Sequence, residues 1–189
     1  MEQFNTTHDY SSAPETLPQQ FTVRFRELSG APYPQVKVTL NGDQLGDVID
    51  DNYYQNDGYR YHDVFHYTFA TLLNWSPCAR AMMKRKRKSD AALDRVEDGA
   101  RAMITEEAIS LILFNEAKSN DFYQGDKQVD DRILDIIINM TSGYEVATKS
   151  KSEWNKAILK SYEMFRLLRE NNGGLISFNA INKTIEYSN

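Results

Sequence analysis

The residues whose types and spacing could do chemistry begin with His62, Asp63 and His66. Positions four apart on a helix share a face, so the two histidines can hold one metal ion. Asp63 adds a hard oxygen ligand suited to Mg2+ or Mn2+. A second group lies about forty residues on. Val96, Ala100, Met103, Ile104, Leu111 and Phe114 recur at helical spacing and read as an apolar stripe, with Glu107 in its middle. A carboxylate facing a core is costly unless it is paired, protonated or bound to a metal. Glu106 sits to one side of that stripe, and Glu97 and Arg101, an i,i+4 pair, flank it. If the two segments pack together, Asp63, His66, Glu97, Glu106 and Glu107 make a candidate metal-ligand set. Glu107, Asp63 and His62 are then the candidate catalytic groups. A divalent ion so held would neutralise phosphate charge and activate a water for attack on it. Arg60, Arg101, Lys84 and Lys86 are the candidate phosphate or nucleotide holders.

Each feature also has a plainer reading. Histidines on an apolar face are often satisfied core residues, and Glu107 could anchor an arginine or a backbone group. The basic run 84–88 ends a helix, where cations favour the macrodipole, and no stacking aromatic is interleaved with it. The tyrosine-rich segment 51–61 could stack on a base or simply pack against helices. Cys78 reads as a small buried hydrophobe.

The elements that must position these groups follow from the patterning. Phe21, Val23 and Phe25 alternate with Thr22, Arg24 and Arg26, and Val36, Val38 and Leu40 repeat the period. With the Gly/Pro-containing loop 29–34 between them, they make a β-hairpin, followed by a turn signal at Asn41-Gly42-Asp43. Helices are expected over 59–75, 77–88, 91–118, 129–142 and 151–171. Ser76-Pro77 opens the second, Ser89-Asp90 caps the third, and Gly99 lies within the third. Gly173-Gly174 stops the last helix, and 175–178 with 184–187 form a short closing hairpin. The expected fold is mainly α (α+β): about five helices with an N-terminal hairpin and a C-terminal one. Residues 1–20, rich in Ser, Thr, Gln and Pro, read as a disordered leader before a single domain over 21–189.

The totals fit that picture. The chain has 189 residues, 41% hydrophobic and 26% charged, with a formal net charge of -5. That size supports one core without staples, and the mild acidity argues against a nucleic-acid partner. One cysteine excludes an internal disulfide framework and suits a reducing compartment. No run approaches the roughly 20 apolar residues of a membrane span, and the first twenty residues lack a secretory pattern. A cytoplasmic location is expected.

Several longer motifs carry a family resemblance. They are Gly46-Asp47, Asp51-Asn52-Tyr54, the stretch from Asp57-Gly58 to His66, Leu73-Asn74-Trp75-Ser76-Pro77, Lys84 to Ser89, and Val96 to Arg101 with Glu106-Glu107. From about Phe21 onward the chain resembles the domain that follows the catalytic domain of MazG-type nucleoside triphosphate pyrophosphohydrolases. The resemblance implies Mg2+-dependent cleavage of nucleoside triphosphates to monophosphate and pyrophosphate, on an all-helical scaffold. By analogy it implies a homo-oligomer. The family's catalytic helices carry Glu-Glu-x-x-Glu and then Glu-x-x-Asp. Here Glu106-Glu107 is followed by Ala108-Ile109-Ser110, and Asp131 and Asp135 lie four apart. Two readings stay open: a metal-dependent nucleotide phosphohydrolase, or a nucleotide-sensing or oligomerisation module regulating a separate catalytic partner. An HD-type phosphohydrolase would need a further upstream histidine, and His8 alone is available.

Overall fold

Alternation of apolar and polar residues commits both ends of the chain to one sheet. The computed structural model describes residues 15–189, so most of the expected leader, with His8, lies outside the described residues. Strands β1 (Gln20–Leu28), β2 (Gln35–Leu40) and β3 (Asp43–Asp50) form a meander, and β4 (Gly173–Asn179) and β5 (Thr184–Ser188) form the closing hairpin. All pairings are antiparallel, in the order β3-β2-β1-β4-β5, with Val23 opposite both Leu40 and Ile176. The two hairpins thus join along β1 into one five-stranded sheet. Val23, Phe25, Val36, Val38, Ile176 and Phe178 are buried on its inner face. The third strand was not expected. Asn41-Gly42, both at positive φ, is the tight turn into it, and a bulge around Gly46 breaks its alternation.

Among the described residues six α-helices complete an α+β fold: α1 (Asp63–Leu73), α2 (Pro77–Met82), α3 (Ala91–Val96), α4 (Ala100–Ser119), α5 (Asp131–Thr141) and α6 (Lys151–Glu170). Helix α6 opens with a capping box between Ser150 and Glu153 and packs Phe165, Tyr162 and Trp154 against Phe65 and Phe69 of α1. Burying each such ring is worth about 1.5–3 kcal/mol. On its other side α1 sets Tyr67 against Phe25 and Phe178 of the sheet. Ten of its eleven residues are buried, so α1 is the central helix of the molecule.

The expected helix 91–118 is broken. Gly99 takes an extended conformation between α3 and α4, and a Cβ there would lie 2.1 Å from the Arg95 carbonyl oxygen. That is why glycine stands at this position. Asp90 caps α3 as expected, accepting from Ala92 and Leu93. The second expected helix stops at Met82, and Lys84 has φ 55, so the run 84–88 is a loop and not a helix end. The scaffold is correspondingly α+β and not all-helical.

Candidate functional site

Helix α4 shows the opposite face to the one its apolar residues mark out. Its buried side is Ala102, Glu106, Ile109, Ser110, Leu113, Phe114 and Ala117, while Ile104 and Leu111 face solvent. Val96 on α3 is also exposed. The carboxylate that enters the core is therefore Glu106, fully buried. Glu107, expected there, has a side chain 47% exposed. The two histidines differ in the same way. His66 is wholly buried, and His62 is slightly exposed.

Glu106 is saturated with donors. Ser76 Oγ donates to Oε1 at 2.6 Å, the Cys78 backbone N–H to Oε2 at 2.9 Å, and His66 Nδ1 lies 2.8 Å from Oε1. Ser76 also caps α2 by accepting from Ala79, so one hydroxyl ties the start of α2 to the middle of α4. Because an ionised carboxylate can only accept, His66 Nδ1 carries a proton. Its Nε2 is then turned toward Glu107, 3.3 Å from Oε1, without forming a hydrogen bond.

His62 is set by a similar device. Asp51, buried, accepts from the backbone N–H groups of Gly58 and Arg60 and from Arg60 Nη1. That anchors the 3-10 turn Tyr59–Tyr61, whose first carbonyl accepts from His62 Nδ1 at 2.9 Å. The Tyr59 ring stacks on the imidazole, with centroids 4.2 Å apart. A carbonyl accepts only, so His62 Nε2 is the free nitrogen; it lies 3.6 Å from Asp63 Oδ1 and 3.9 Å from Glu107 Oε2. Asp63 Oδ2 is buried without a hydrogen-bond partner. The strand bulge passes over it, and a Cβ on Gly46 would approach that oxygen to 3.9 Å.

The charges at the cluster are interlocked. Burial works against a charged His66, but the Glu106 carboxylate outweighs it and holds the imidazole well above its usual range. Burial likewise opposes ionising Glu107, yet the close approach and charge of His66, then the charge of His62, bring its carboxyl down to about 2. Burial raises Asp63 and lowers His62. A proton on His66 Nε2 is the simplest neutraliser of this cluster, and a divalent ion would take the same place. Donor atoms of His62, Asp63 and His66 lie within 4.8 Å of one another, as do those of His66, Cys78 and Glu107. Cys78 is buried, with Sγ 3.6 Å from Glu107 Oε1, and burial pushes its thiol well up.

The structure thus brings together His62, Asp63, His66, Glu106 and Glu107 from the candidate set, and adds Cys78, Ser76 and Asp51. It does not bring Glu97 in: both its oxygens accept from the Glu145 backbone N–H. Arg60 is buried against Asp51 and Glu27. Arg101 is exposed and lines a separate cleft with Arg95, Thr105 and Tyr144. Lys84 is exposed and Lys86 half-buried on the 84–88 loop. On that loop Arg87 grips Asp98 through its backbone and guanidinium and also pairs with Glu145. Sequence reasoning missed Asp51, Ser76 and Asp98 because their work is hydrogen bonding across the chain. The Ser-Pro and Asp-Gly dipeptides were the available signals. No described helix is long and apolar enough to cross a membrane.

No curated protein and no solved structure matches the chain. A family model described as the MazG C-terminal domain matches residues 3–189, and the chain belongs to that family.

Proposed function

From that membership and the geometry of the cluster, we propose that the chain is a metal-dependent nucleotide phosphohydrolase that cleaves nucleoside triphosphates to monophosphate and pyrophosphate. One observation carries the reading: two buried donor atoms, Asp63 Oδ2 and His66 Nε2, have no hydrogen-bond partner beside two further donors, His62 Nε2 and Glu107. An unpaired buried polar atom costs about 1–3 kcal/mol, so two of them at one place mark a site built to be filled. A divalent ion there would neutralise phosphate charge and make water acidic enough to attack near neutral pH. The chain's own residues do the positioning. Glu106 and the Tyr59 carbonyl fix the two imidazoles with Nε2 toward the cluster. Glu107, the half-exposed member, stands on the side from which substrate arrives and orients the attacking water.

A specific observation favours the second reading, a nucleotide-sensing module acting on a separate catalytic partner. Arg60 is neutralised by two carboxylates, and Arg101 belongs to another cleft, so two of the expected phosphate holders are engaged or elsewhere. One assay separates the two. Pyrophosphate and phosphate release is measured from a panel of nucleoside triphosphates with Mg2+ or Mn2+, for wild type and Glu107→Gln. The hydrolase reading expects metal-dependent turnover that the substitution lowers by about 100-fold or more with folding intact. Nucleotide binding with no turnover on any substrate gives the function to the sensing module.

A further inference from the structure

The proposed centre is poorly matched to Mg2+. That ion is hard, demands near-octahedral oxygen ligands and is usually held by one or two carboxylates while keeping several waters. Here the oxygens are spent elsewhere. Glu106 gives Oε1 to Ser76 and His66 and Oε2 to Cys78, and Glu97 gives both of its own to Glu145. What remains within reach of a single ion is one buried carboxylate, Asp63, and two imidazoles, with the thiol of Cys78 and the half-exposed Glu107 alongside.

Resting on the reading that this cluster holds a metal, we infer that it selects an imidazole-binding transition ion (Mn2+, Fe2+, Co2+ or Zn2+) over Mg2+, with His62 Nε2, His66 Nε2 and Asp63 as its protein ligands. Imidazole suits these ions, and Mn2+, the hardest, binds a nitrogen-rich site least tightly of the four. The surroundings support it independently. Metal-ligating histidines donate their second ring N–H to a carboxylate or backbone carbonyl, which fixes the tautomer and raises ligand basicity. His66 does this to Glu106 at 2.8 Å and His62 to the Tyr59 carbonyl at 2.9 Å. One ligand atom from each of His62, His66 and Asp63 lies within 4.8 Å of the others, and His62 Nε2 is 3.6 Å from Asp63 Oδ1. Glu106 is accordingly a positioning residue that acts through His66.

The test reads ion binding, not turnover. The full chain, stripped of metal, is titrated with Co2+ and followed by its visible absorption, then challenged with Mg2+ at about 100-fold excess and with equimolar Zn2+. The expected result is one Co2+ per chain that Zn2+ displaces and Mg2+ does not. His66→Ala should abolish this binding. Because that substitution leaves buried Glu106 short of a donor, His62→Asn is the companion variant. It keeps a donor toward the Tyr59 carbonyl, removes Nε2, and should weaken Co2+ by at least about 10-fold. Displacement of Co2+ by Mg2+, no Co2+ binding by the folded wild type, or Co2+ binding that His62→Asn leaves unchanged would each overturn the inference. Co2+ held as described without nucleotide turnover supports it and sinks the hydrolase reading. Turnover that runs on Mg2+ and is unaffected by Zn2+ overturns it and leaves a hydrolase.

Discussion

Two buried acidic clusters flank the break at Gly99, and they are finished differently. On one side, Asp98 is fully buried and accepts from the Arg87 backbone N–H, Nε and Nη2, while Arg87 Nη1 reaches Glu145 and Glu97 holds the Glu145 N–H. Both Asp98 oxygens have partners. On the other side, Glu106 is equally saturated, but the groups around it are not: Asp63 Oδ2 and His66 Nε2 are left unpaired. The difference teaches what each cluster is for. A saturated network ties the 84–88 loop and the 3-10 turn Glu145–Thr148 to the α3–α4 junction, and nothing is left over to bind. An unsaturated one gives up stability, which a fold retains when something else occupies the site.

The first way to break the comparison is Arg87→Ala. It strands the Asp98 carboxylate in the interior, where Arg80 Nε, 3.7 Å away, is a poor substitute. Loss of one partner from a buried pair typically costs about 3–5 kcal/mol, and urea denaturation should show a loss of that size. Co2+ binding by the folded fraction should be unchanged. If the stability loss is under about 1 kcal/mol, Asp98 is not the anchor described here.

The sequence made much of the scaffold legible and little of this contrast. Strict alternation in β1, β2, β4 and β5, the amphipathic α5 and the capped α6 were readable because each has one buried face. Helix α1 has none to find: it is buried all round, so periodicity could not say which histidine points inward. Helix α4 misled more actively. Ile104 and Leu111 advertise a core face that is solvent-exposed, while the true face carries Glu106, Ser110 and two alanines among Ile109, Leu113 and Phe114. A buried carboxylate with three donors behaves as a core residue, and its donors Ser76, Cys78 and His66 sit 28 to 40 positions away. The site's residue types were legible; their partners were not, because pairing at that range is set by packing. The third strand escaped for a local reason, the bulge at Gly46. That same bulge lets the sheet pass over Asp63.

The second test sharpens the comparison from the other cluster. Asp63→Asn removes a charge that burial disfavours and that has one oxygen unpaired. Relief of part of that penalty should stabilise the protein by about 1 kcal/mol. Over the same substitution Co2+ affinity should fall, since a ligand is lost. Thermal denaturation and Co2+ titration of the one variant measure both. A variant that loses stability and metal together would place Asp63 among the structural groups, with Asp98.

The smallest effect is in the pH dependence, where the two aspartates should act with opposite sign. Burial opposes ionising Asp98, but its hydrogen bonds and charge from Arg87 prevail and hold its carboxyl below the usual range. Between that lowered value and the ordinary aspartate pKa of about 3.9, the unfolded chain binds the extra proton. Stability from Asp98 is therefore complete above about 3.9 and lost as pH falls through the folded value. For Asp63 burial raises the folded pKa, so from about 3.9 upward it is the folded chain that holds the extra proton. Its contribution falls as pH rises through that interval. In urea midpoints followed from pH 2 to 7, Arg87→Ala should flatten the acid limb below about pH 4, and Asp63→Asn should steepen the rise above it. Equal slopes in wild type and Asp63→Asn above about pH 4 would mean that Asp63 is ionised as readily in the fold as in water. The unpaired oxygen would then have a partner after all, and the contrast between the clusters would be lost.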